Sequence, residues 1–223
     1  MRQPGGIGIF GGTFNPIHLG HLRAAEEVRE RVGLDEVRFV PAAAPPHKSA
    51  GELASAPDRL RMVELAIAHV AGFRASAIEL ERPGPSYSVD TLRALRNQLG
   101  EDRLVFILGL DAFRELHTWK DCAEIFGLSD VVVVTRPPCP DGLTPAQIPL
   151  AAREAFRYDP ISESFRHASG HVLTFQRITA LDISAANIRA HVAARRSIRF
   201  LVPPAVEAYI VERGLYRQED VRR

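Results

Sequence analysis

The first stretch of the chain with chemistry-bearing residues is GGTFNPIHLGHL, residues 11–22. Gly11 and Gly12 have no side chain to keep a ligand away from the backbone. His18 and His21 are three residues apart, so at the start of a helix they lie on one face. Two imidazoles can donate hydrogen bonds to phosphate oxygens, and a helix N-terminus favours an anion. The stretch therefore predicts a phosphate-binding turn.

Three alternatives fit parts of the same stretch. A metal site would use both histidines, but no third ligand stands at a matching spacing. A structural role in capping and packing is the default for a single histidine. A dinucleotide dehydrogenase requires G-x-G-x-x-G and an acidic residue at the end of the second strand, whereas that strand here runs into Val40 and Pro41. The dehydrogenase is excluded, and the first two alternatives stay open.

A second candidate is ISAANIR, residues 183–189. Ser184 is a good helix N-cap, so the N–H groups that follow it would lie at a helix terminus. Arg189 lies about one turn further on and has the fork of donors that suits a phosphate. Taken alone, the segment also fits a capped surface helix with a solvated arginine, and that alternative stays open.

Two further side chains could contact a ligand. Lys48 stands in PPHK, on the loop after the second predicted strand, where a lysine is either solvated or directed at an anion. Trp119, in HTWKD, is the only tryptophan of the chain. Aromatic residues more often belong to the core, but this one has polar neighbours on both sides. A half-exposed indole could stack on a flat heterocycle.

Composition limits the class of protein. Of the 223 residues, 46% are hydrophobic and 25% are charged, as in an average soluble domain. The net charge of +1 argues against binding nucleic acid through general phosphate attraction. Two cysteines, Cys122 and Cys139, make no disulfide framework. Neither a signal peptide nor a membrane helix is indicated. We expect a cytoplasmic protein with no membrane or nucleic-acid partner, and either a monomer or a homodimer.

Predicted strands and helices alternate along the chain. The strands are predicted at 7–10, 37–40, 73–80, 104–108, 131–134 and 172–175, and the helices at 19–32, 57–70, 88–99, 185–194 and 204–213. This order predicts an α/β fold with a Rossmann-like, doubly wound, mostly parallel sheet and helices on both faces. In such a sheet, ligands bind at the carboxyl ends of the strands where the strand order reverses. Residues 11–21, 41–48, 109–111 and Arg136 all follow strand ends, so they are expected to share one rim.

The two motifs together resemble the nucleotidyltransferase family marked by H-x-G-H and by a late I-S-x-x-x-[IL]-R. Within it, the chain is most similar to the bacterial nicotinate-nucleotide adenylyltransferases, and the similarity extends over residues 7–216. The stretches that carry this closer similarity are PPHK at 45–48, Asp58-Arg59 with Met62, GPSYSVDTL at 84–92, Gly109-Leu110-Asp111, Trp119 and LVPPAVEAYIVERGLY at 201–216. The resemblance implies one nucleotidyltransferase domain over residues 1–223, with residues 184–216 completing the ATP site.

The resemblance implies a role for each matching position. Catalytic phosphate contacts fall to His18, His21, Lys48 and Arg189. ATP binding falls to Gly11, Gly12, Thr13, Phe14, Gly109, Asp111, Ile183 and Ser184. Nicotinate mononucleotide binding falls to Asn15, Ser86, Tyr87, Thr91, Trp119 and Arg136.

The implied reaction joins ATP to nicotinate mononucleotide and releases pyrophosphate, with Mg²⁺ held mainly by phosphate oxygens and no protein metal site. The attacking phosphate oxygen is already anionic at pH 7, so positioning and charge stabilisation supply the catalysis and no general base is needed. Two rivals stay open: an enzyme that prefers nicotinamide mononucleotide or another phosphorylated acceptor, and a nucleotide-binding module without activity. The sequence departs from the family pattern at Ala185 and Ala186, where the family often has a serine or threonine hydroxyl, and at Asn15, where an aspartate is frequent. Residues 137–160 carry no functional prediction.

Overall fold

The structure is a computed structural model that describes residues 5–46, 53–135 and 148–217. One eight-stranded sheet forms its centre, in the spatial order β3-β2-β1-β4-β5-β8-β7-β6. The strands are β1 (Ile7–Gly12), β2 (Glu36–Pro41), β3 (Phe73–Ala75), β4 (Leu104–Gly109), β5 (Asp130–Thr135), β6 (Phe156–Asp159), β7 (Ser164–His167) and β8 (Val172–Arg177). Six strands, β1 to β5 and β8, pair in parallel, whereas β7 pairs antiparallel with both β8 and β6.

Helices connect the strands. They are α1 (Leu19–Val32), α2 (Ala56–Ile67), α3 (Ser88–Leu99), α4 (Leu110–Arg114), α5 (Cys122–Leu128), α6 (Leu150–Arg153), α7 (Ala185–Ala193) and α8 (Pro204–Glu212), with a 3₁₀ turn at Leu116–Thr118. Within the described ranges, no helix is long and apolar enough to cross a membrane.

The strand order reverses beside β1. This strand pairs in parallel with β2 on one side and with β4 on the other, with Ile7 opposite both Glu36 and Leu104. Successive strands then proceed outward in both directions, which is the arrangement that opens a crevice at the carboxyl ends of β1 and β4. The predicted doubly wound, mostly parallel sheet is confirmed.

Two apolar cores cover the two faces of the sheet. In β4, Val105 and Ile107 belong to the core shared with α1, α2, α7 and α8. Phe106 and Leu108, which alternate with them, belong to the core shared with α3 and α5. Successive side chains of a strand point to opposite faces of the sheet, and here both faces are covered by helices, so all of these side chains can be apolar. This accounts for the unbroken apolar run that identifies β4 in the sequence.

Several predicted bounds differ from the structure. The predicted strand 73–80 ends at Ala75, and the helix predicted at 57–70 ends at Ile67. The hairpin of β6 and β7 was not predicted, because its strands have four residues each and include charged side chains. The short helices α4, α5 and α6 have four to seven residues, too few to show a helical repeat.

Candidate active site

A cavity of about 510 Å³ opens where the strand order reverses. It includes the end of β1 with Gly11, Gly12 and Thr13, and the end of β4 with Gly109. The other residues that line it are Ala42, Pro45, Pro46, Glu79, Ser86, Tyr87, Ser88, Phe106, Leu108, Ala112, Glu115, Thr118, Trp119 and Lys120. The segments that follow β1, β2 and β4 therefore share one rim, as the sequence predicts.

The two histidines of the first motif form one stacked pair at the start of α1. His18 is the N-cap residue and is buried, and its ring centroid lies 3.6 Å from that of His21. The backbone N–H of His18 donates to Nδ1 of His21 at 3.3 Å. A nitrogen that accepts a hydrogen bond carries no proton, so the hydrogen of the His21 ring is on Nε2. His21 therefore presents a neutral N–H donor on the side away from the backbone.

Gly20 lets the pair lie this close to the chain. A Cβ atom at this position would lie 3.1 Å from the His18 ring and 3.8 Å from the carbonyl oxygen of Ile183. On the other side, the buried Phe14 ring meets the His21 ring edge-on at 5.1 Å. Phe14 thus supports the imidazole from within the core, and this packing accounts for its place in the motif.

The late motif meets the first motif directly. Ser184 caps α7, since its Oγ accepts from the backbone N–H of Asn187 at 3.1 Å, as predicted. Arg189, one turn later, donates from Nη1 to the carbonyl oxygen of Asn15 at 2.9 Å. The backbone N–H of Leu19 at the start of α1 donates to Leu201, so this amide is already used inside the protein. The sequence predicts a phosphate site that uses free backbone N–H groups at the start of α1. Because this N–H group is occupied, anion binding there depends more on side chains.

Asn15 is buried and bonded within the protein. Its Oδ1 accepts from the backbone N–H of Ala54 at 3.0 Å and from the hydroxyl of Tyr216 at 2.8 Å. Burial raises the pKa of Tyr216, which keeps that hydroxyl a donor. Asn15 does not line the cavity. The structure thus shows a framework role for Asn15, and its expected contact with nicotinate mononucleotide stays a prediction.

Thr91 has the same kind of position. It is buried behind the cavity wall, where its hydroxyl donates to Oε1 of Glu79 at 2.6 Å, and Glu79 itself lines the cavity. Arg82 donates to the same hydroxyl at 3.3 Å. Thr91 therefore orients the cavity wall through Glu79, and its expected contact with nicotinate mononucleotide stays a prediction.

Aromatic rings form one end of the cavity. Trp119 is half-buried, and its ring meets Phe106 edge-on at 6.5 Å. Tyr87 lines the same end, and the ammonium of Lys120 lies 5.0 Å from its ring centroid. Ser86 is fixed by two hydrogen bonds with the backbone of Ala44. This end offers flat apolar surfaces with a cation beside them.

Arg59 is a site residue that the sequence does not identify as one. It is fully buried and donates to four backbone carbonyl oxygens: those of Thr13 at 2.9 Å, Ala42 at 2.5 Å, Ala43 at 3.2 Å and Ala54 at 3.0 Å. Burial lowers the pKa of Arg59, but a guanidinium stays charged in proteins. Its helical spacing with the buried Met62 and Val63 is the sequence signal that places it on an inward face.

The remaining predicted residues differ in where they lie: Gly109 lines the cavity, others stand beside it, and two fall outside the described chain. Gly109 is the N-cap residue of α4, and the Asp111 side chain is fully exposed. Ile183 lies beside the histidine pair through its carbonyl oxygen. Lys48 and Arg136 lie outside the described residues. Within 5–46, 53–135 and 148–217, no group of three or more His, Cys, Asp or Glu side chains forms a metal-binding cluster.

Known proteins are similar to this chain in sequence and in fold. A family model described as cytidylyltransferase-like matches residues 9–191. The chain is 50% identical over 217 residues to a Syntrophotalea carbinolica protein named probable nicotinate-nucleotide adenylyltransferase, a match that covers 96% of this chain and 98% of that one. A protein of the same name from Geobacter sp. strain M21 is 49% identical over 211 residues, covering 94% and 97%.

A solved structure supports the fold in particular. It is Plasmodium falciparum nicotinic acid mononucleotide adenylyltransferase complexed with NaAD, which aligns with a TM-score of 0.71 over 95% of this chain and 97% of that one. The two sequences are 17% identical, so this likeness concerns the arrangement of strands and helices.

Proposed function

We infer the site of reaction from the family to which this chain belongs, the nicotinate-nucleotide adenylyltransferases. In this proposal, ATP reacts with nicotinate mononucleotide in the cavity at the ends of β1 and β4. The reaction gives nicotinate adenine dinucleotide and pyrophosphate. The observation that supports this assignment is the contact between the two motifs. The stacked rings of His18 and His21 follow the glycine turn, residues 11–15, and Arg189 donates to the carbonyl oxygen of Asn15 in that turn.

The histidine and arginine side chains supply donors for the triphosphate. The acceptor's phosphate oxygen is already anionic, so the protein has to align it with the α-phosphate and stabilise the charge that develops there. Nε2–H of His21 is a preorganised donor, because the backbone of His18 fixes the other ring nitrogen. One donor of Arg189 holds the Asn15 carbonyl, and its guanidinium has others for phosphate. Gly11 and Gly12 let the phosphates approach the backbone.

The aromatic end holds the acceptor. Trp119 and Tyr87 offer faces on which a pyridine ring can stack, and both line the cavity that begins at the glycine turn. In this arrangement, Gly109 and Asp111 at the end of β4 stand on the adenosine side, and residues 184–216 complete the ATP site through α7. Lys48 and Arg136 are proposed to add cationic contacts from the segments in which they stand.

Magnesium enters this proposal as part of the substrate MgATP. Mg²⁺ prefers oxygen ligands and commonly keeps phosphate and water in its shell, so the imidazoles are suited to the phosphates and poorly suited to the ion. When bound to ATP, the ion lowers the charge that the protein has to balance. We further propose a cytoplasmic enzyme that works as a monomer or homodimer.

The first test uses purified protein with ATP and Mg²⁺ and measures pyrophosphate release with nicotinate or nicotinamide mononucleotide. Release with the nicotinate form supports the proposal, and release with neither form from folded protein contradicts it. His21→Ala should lower kcat by about 10²- to 10³-fold, the effect of removing one preorganised donor, with a small change in the KM for ATP. His69→Ala, at an exposed histidine on the surface, is the matched control. A near-normal kcat for His21→Ala would remove His21 from the mechanism.

Trp119→Ala tests the acceptor end. Stacking of an aromatic side chain on a base contributes about 1–3 kcal/mol, so the KM for the mononucleotide should rise about tenfold or more while the KM for ATP changes little. Trp119→Phe keeps a flat ring and should recover most of the loss. Steady-state kinetics with each substrate varied in turn measures both constants. An equal rise in the two KM values would contradict the assignment of Trp119 to the acceptor.

A further inference from the structure

The C-terminal part of the described chain returns to the turn after β1. The chain leaves α8 at Glu212 and turns at Gly214, and the Tyr216 side chain then packs against the core that α1, α2, α7 and α8 share. Its hydroxyl donates to Oδ1 of Asn15 at 2.8 Å, although 201 residues separate the two in the sequence. The C-terminal segment therefore has a direct hydrogen bond to the first motif.

Three segments meet at Asn15. Its side-chain oxygen accepts from Tyr216 and from the backbone N–H of Ala54 at 3.0 Å, and its carbonyl oxygen accepts from Nη1 of Arg189 at 2.9 Å. Asn15 is buried, so protein groups and not solvent orient its carboxamide. The position of its carbonyl oxygen, and with it the position of the Arg189 guanidinium, therefore depends on the bonds that hold its side chain.

The backbone is strained at both ends of the bond between Tyr216 and Asn15. Phe14, directly before Asn15, has φ 47°, and Tyr216 has φ 62°. Bulky residues rarely adopt this left-handed region, and they keep it only where the surrounding contacts hold them there. Strain of this kind concentrates at functional sites. The two outliers indicate that the fold maintains this contact at a cost in stability.

The Tyr216 hydroxyl is suited to hold an amide oxygen. Burial raises the pKa of Tyr216 and outweighs the charges of Arg189 and Arg59, which lower it, so the phenol keeps its proton. A neutral phenol donates one O–H, and here that donor is directed at Asn15. The same two arginines are bonded to the turn, Arg59 through the carbonyl oxygen of Thr13 and Arg189 through that of Asn15. Tyr216 therefore belongs to the group of side chains that fixes the turn.

We propose that Tyr216 is a positioning residue for adenylyl transfer, because its hydroxyl orients Asn15 and thereby fixes where Arg189 presents its remaining donors. This inference rests on the proposed function, in which those donors bind the triphosphate. Tyr216 does not touch the substrate in this role and acts through Asn15 and Arg189. A displacement of about 1 Å at a positioned group can lower a rate about a hundredfold, so a single hydroxyl behind the site is sufficient to change kcat.

The test compares Tyr216→Phe with Tyr209→Phe, and each substitution removes one hydroxyl. Tyr209 is the matched control, because it stands in α8 and donates to Asp58 of α2 over the same distance of 2.8 Å. We expect kcat to fall about tenfold or more in Tyr216→Phe and to stay within about twofold in Tyr209→Phe. The KM for nicotinate mononucleotide should stay within about threefold in both, since the aromatic end of the cavity is unchanged. Each variant loses one hydrogen bond, so both should lose some thermal stability, and only kcat separates them.

A double-variant comparison tests whether Tyr216 acts through Arg189. The guanidinium is absent in Arg189→Ala, so adding Tyr216→Phe should lower kcat by less than about twofold further. A full additional loss of about tenfold in the double variant would show that the hydroxyl acts elsewhere, and it would overturn the proposal.

Equal kcat values for Tyr216→Phe and Tyr209→Phe, with an active wild type, would also overturn the proposal and would leave the proposed function standing. A wild type that is inactive with ATP and nicotinate mononucleotide would overturn both. If Tyr216→Phe does not fold, two residues introduced at position 216 by amber suppression replace it. 4-Aminophenylalanine keeps an N–H donor and should keep kcat near the wild-type value, whereas 4-methylphenylalanine fills the space without a donor and should lower kcat about tenfold. Equal kcat values for these two variants would contradict the role of the hydrogen bond.

Discussion

Arg59 gives the strongest prediction about stability, because one buried side chain joins three backbone segments at the edge of the cavity. Its guanidinium donates to Thr13 after β1, to Ala42 and Ala43 after β2, and to Ala54 before α2. Each of these carbonyl groups would otherwise need another donor or water. Replacing the guanidinium by an apolar group therefore removes a complete network at once.

The size of the effect follows from that network. Hydrogen bonds to charged groups contribute about 1.5–3 kcal/mol each, but they are not additive, and breaking a buried charged network lowers stability by about 3–5 kcal/mol. For a chain of about this size, each kcal/mol shifts the melting temperature by about 2–4 °C. Arg59→Met should therefore unfold about 6–20 °C below wild type. Methionine keeps most of the aliphatic stem, so a packing cavity contributes little of this shift.

Thermal unfolding followed by circular dichroism measures the shift, with Arg74→Met as the control. Arg74 is also an arginine, but its side chain is 71% exposed and it forms one surface ion pair with Glu36. This variant should unfold within about 2 °C of wild type, because exposed ion pairs contribute little. Arg59→Lys keeps the charge but cannot reach all four carbonyl groups, so it should be intermediate. If Arg59→Met unfolds together with Arg74→Met, the network does not stabilise the fold as argued.

Two further predictions concern Gly20 and Asp58. Gly20→Ala places a Cβ atom 3.1 Å from the His18 ring, so kcat should fall by about tenfold or more. The control is Gly127→Ala in α5, where nothing lies within 4 Å of the added Cβ; it should keep kcat and raise the free energy of unfolding by up to about 1 kcal/mol. Equal kcat values in the two variants would contradict the tight fit at Gly20. Hydrogen bonds from Ser55 and Tyr209 and the charge of Arg213 hold the pKa of Asp58 below its ordinary value despite partial burial. Its contribution to stability is therefore present above about pH 4 and lost as the pH falls through the lowered pKa. Urea unfolding from pH 3 to 7 measures the free energy of unfolding at each pH. Between pH 3 and 4 this free energy should fall less steeply in Asp58→Asn than in wild type. Parallel curves for the two proteins would contradict the contribution of Asp58.

The sequence predicted best the elements that have local signals. Helix α1 has the predicted bounds, Leu19–Val32, because Gly33 at φ 71° ends it in the left-handed conformation that glycine favours. Strand β4 also has a local signal, because a short apolar run that ends at a glycine favours a strand covered on both faces. The β6–β7 hairpin has no such signal, since its stability depends on pairing with β8 and on packing that a short sequence window does not contain.

Residue types identified the histidine pair, Arg189 and Trp119 as candidates, but they could not separate ligand contacts from framework. Asn15 and Thr91 stand in the right motifs, yet both are buried and bonded to protein atoms. A motif indicates that a side chain is needed at a position, and it does not indicate whether its partner is a substrate or the protein. Only the three-dimensional partners make that distinction.

The partners of the two arginines also show how a chain of net charge +1 can serve an anionic substrate. Arg59 and Arg189 are held by backbone carbonyl oxygens, and neither forms an ion pair with a carboxylate in the part of the chain that the structure describes. Carbonyl groups orient a guanidinium without cancelling its charge. Some other arginines, such as Arg93 beside Glu124, form ion pairs with carboxylates instead. The charges of Arg59 and Arg189 therefore stay uncancelled beside residues 13–15, where, under the proposed function, they would attract the phosphates of the substrate.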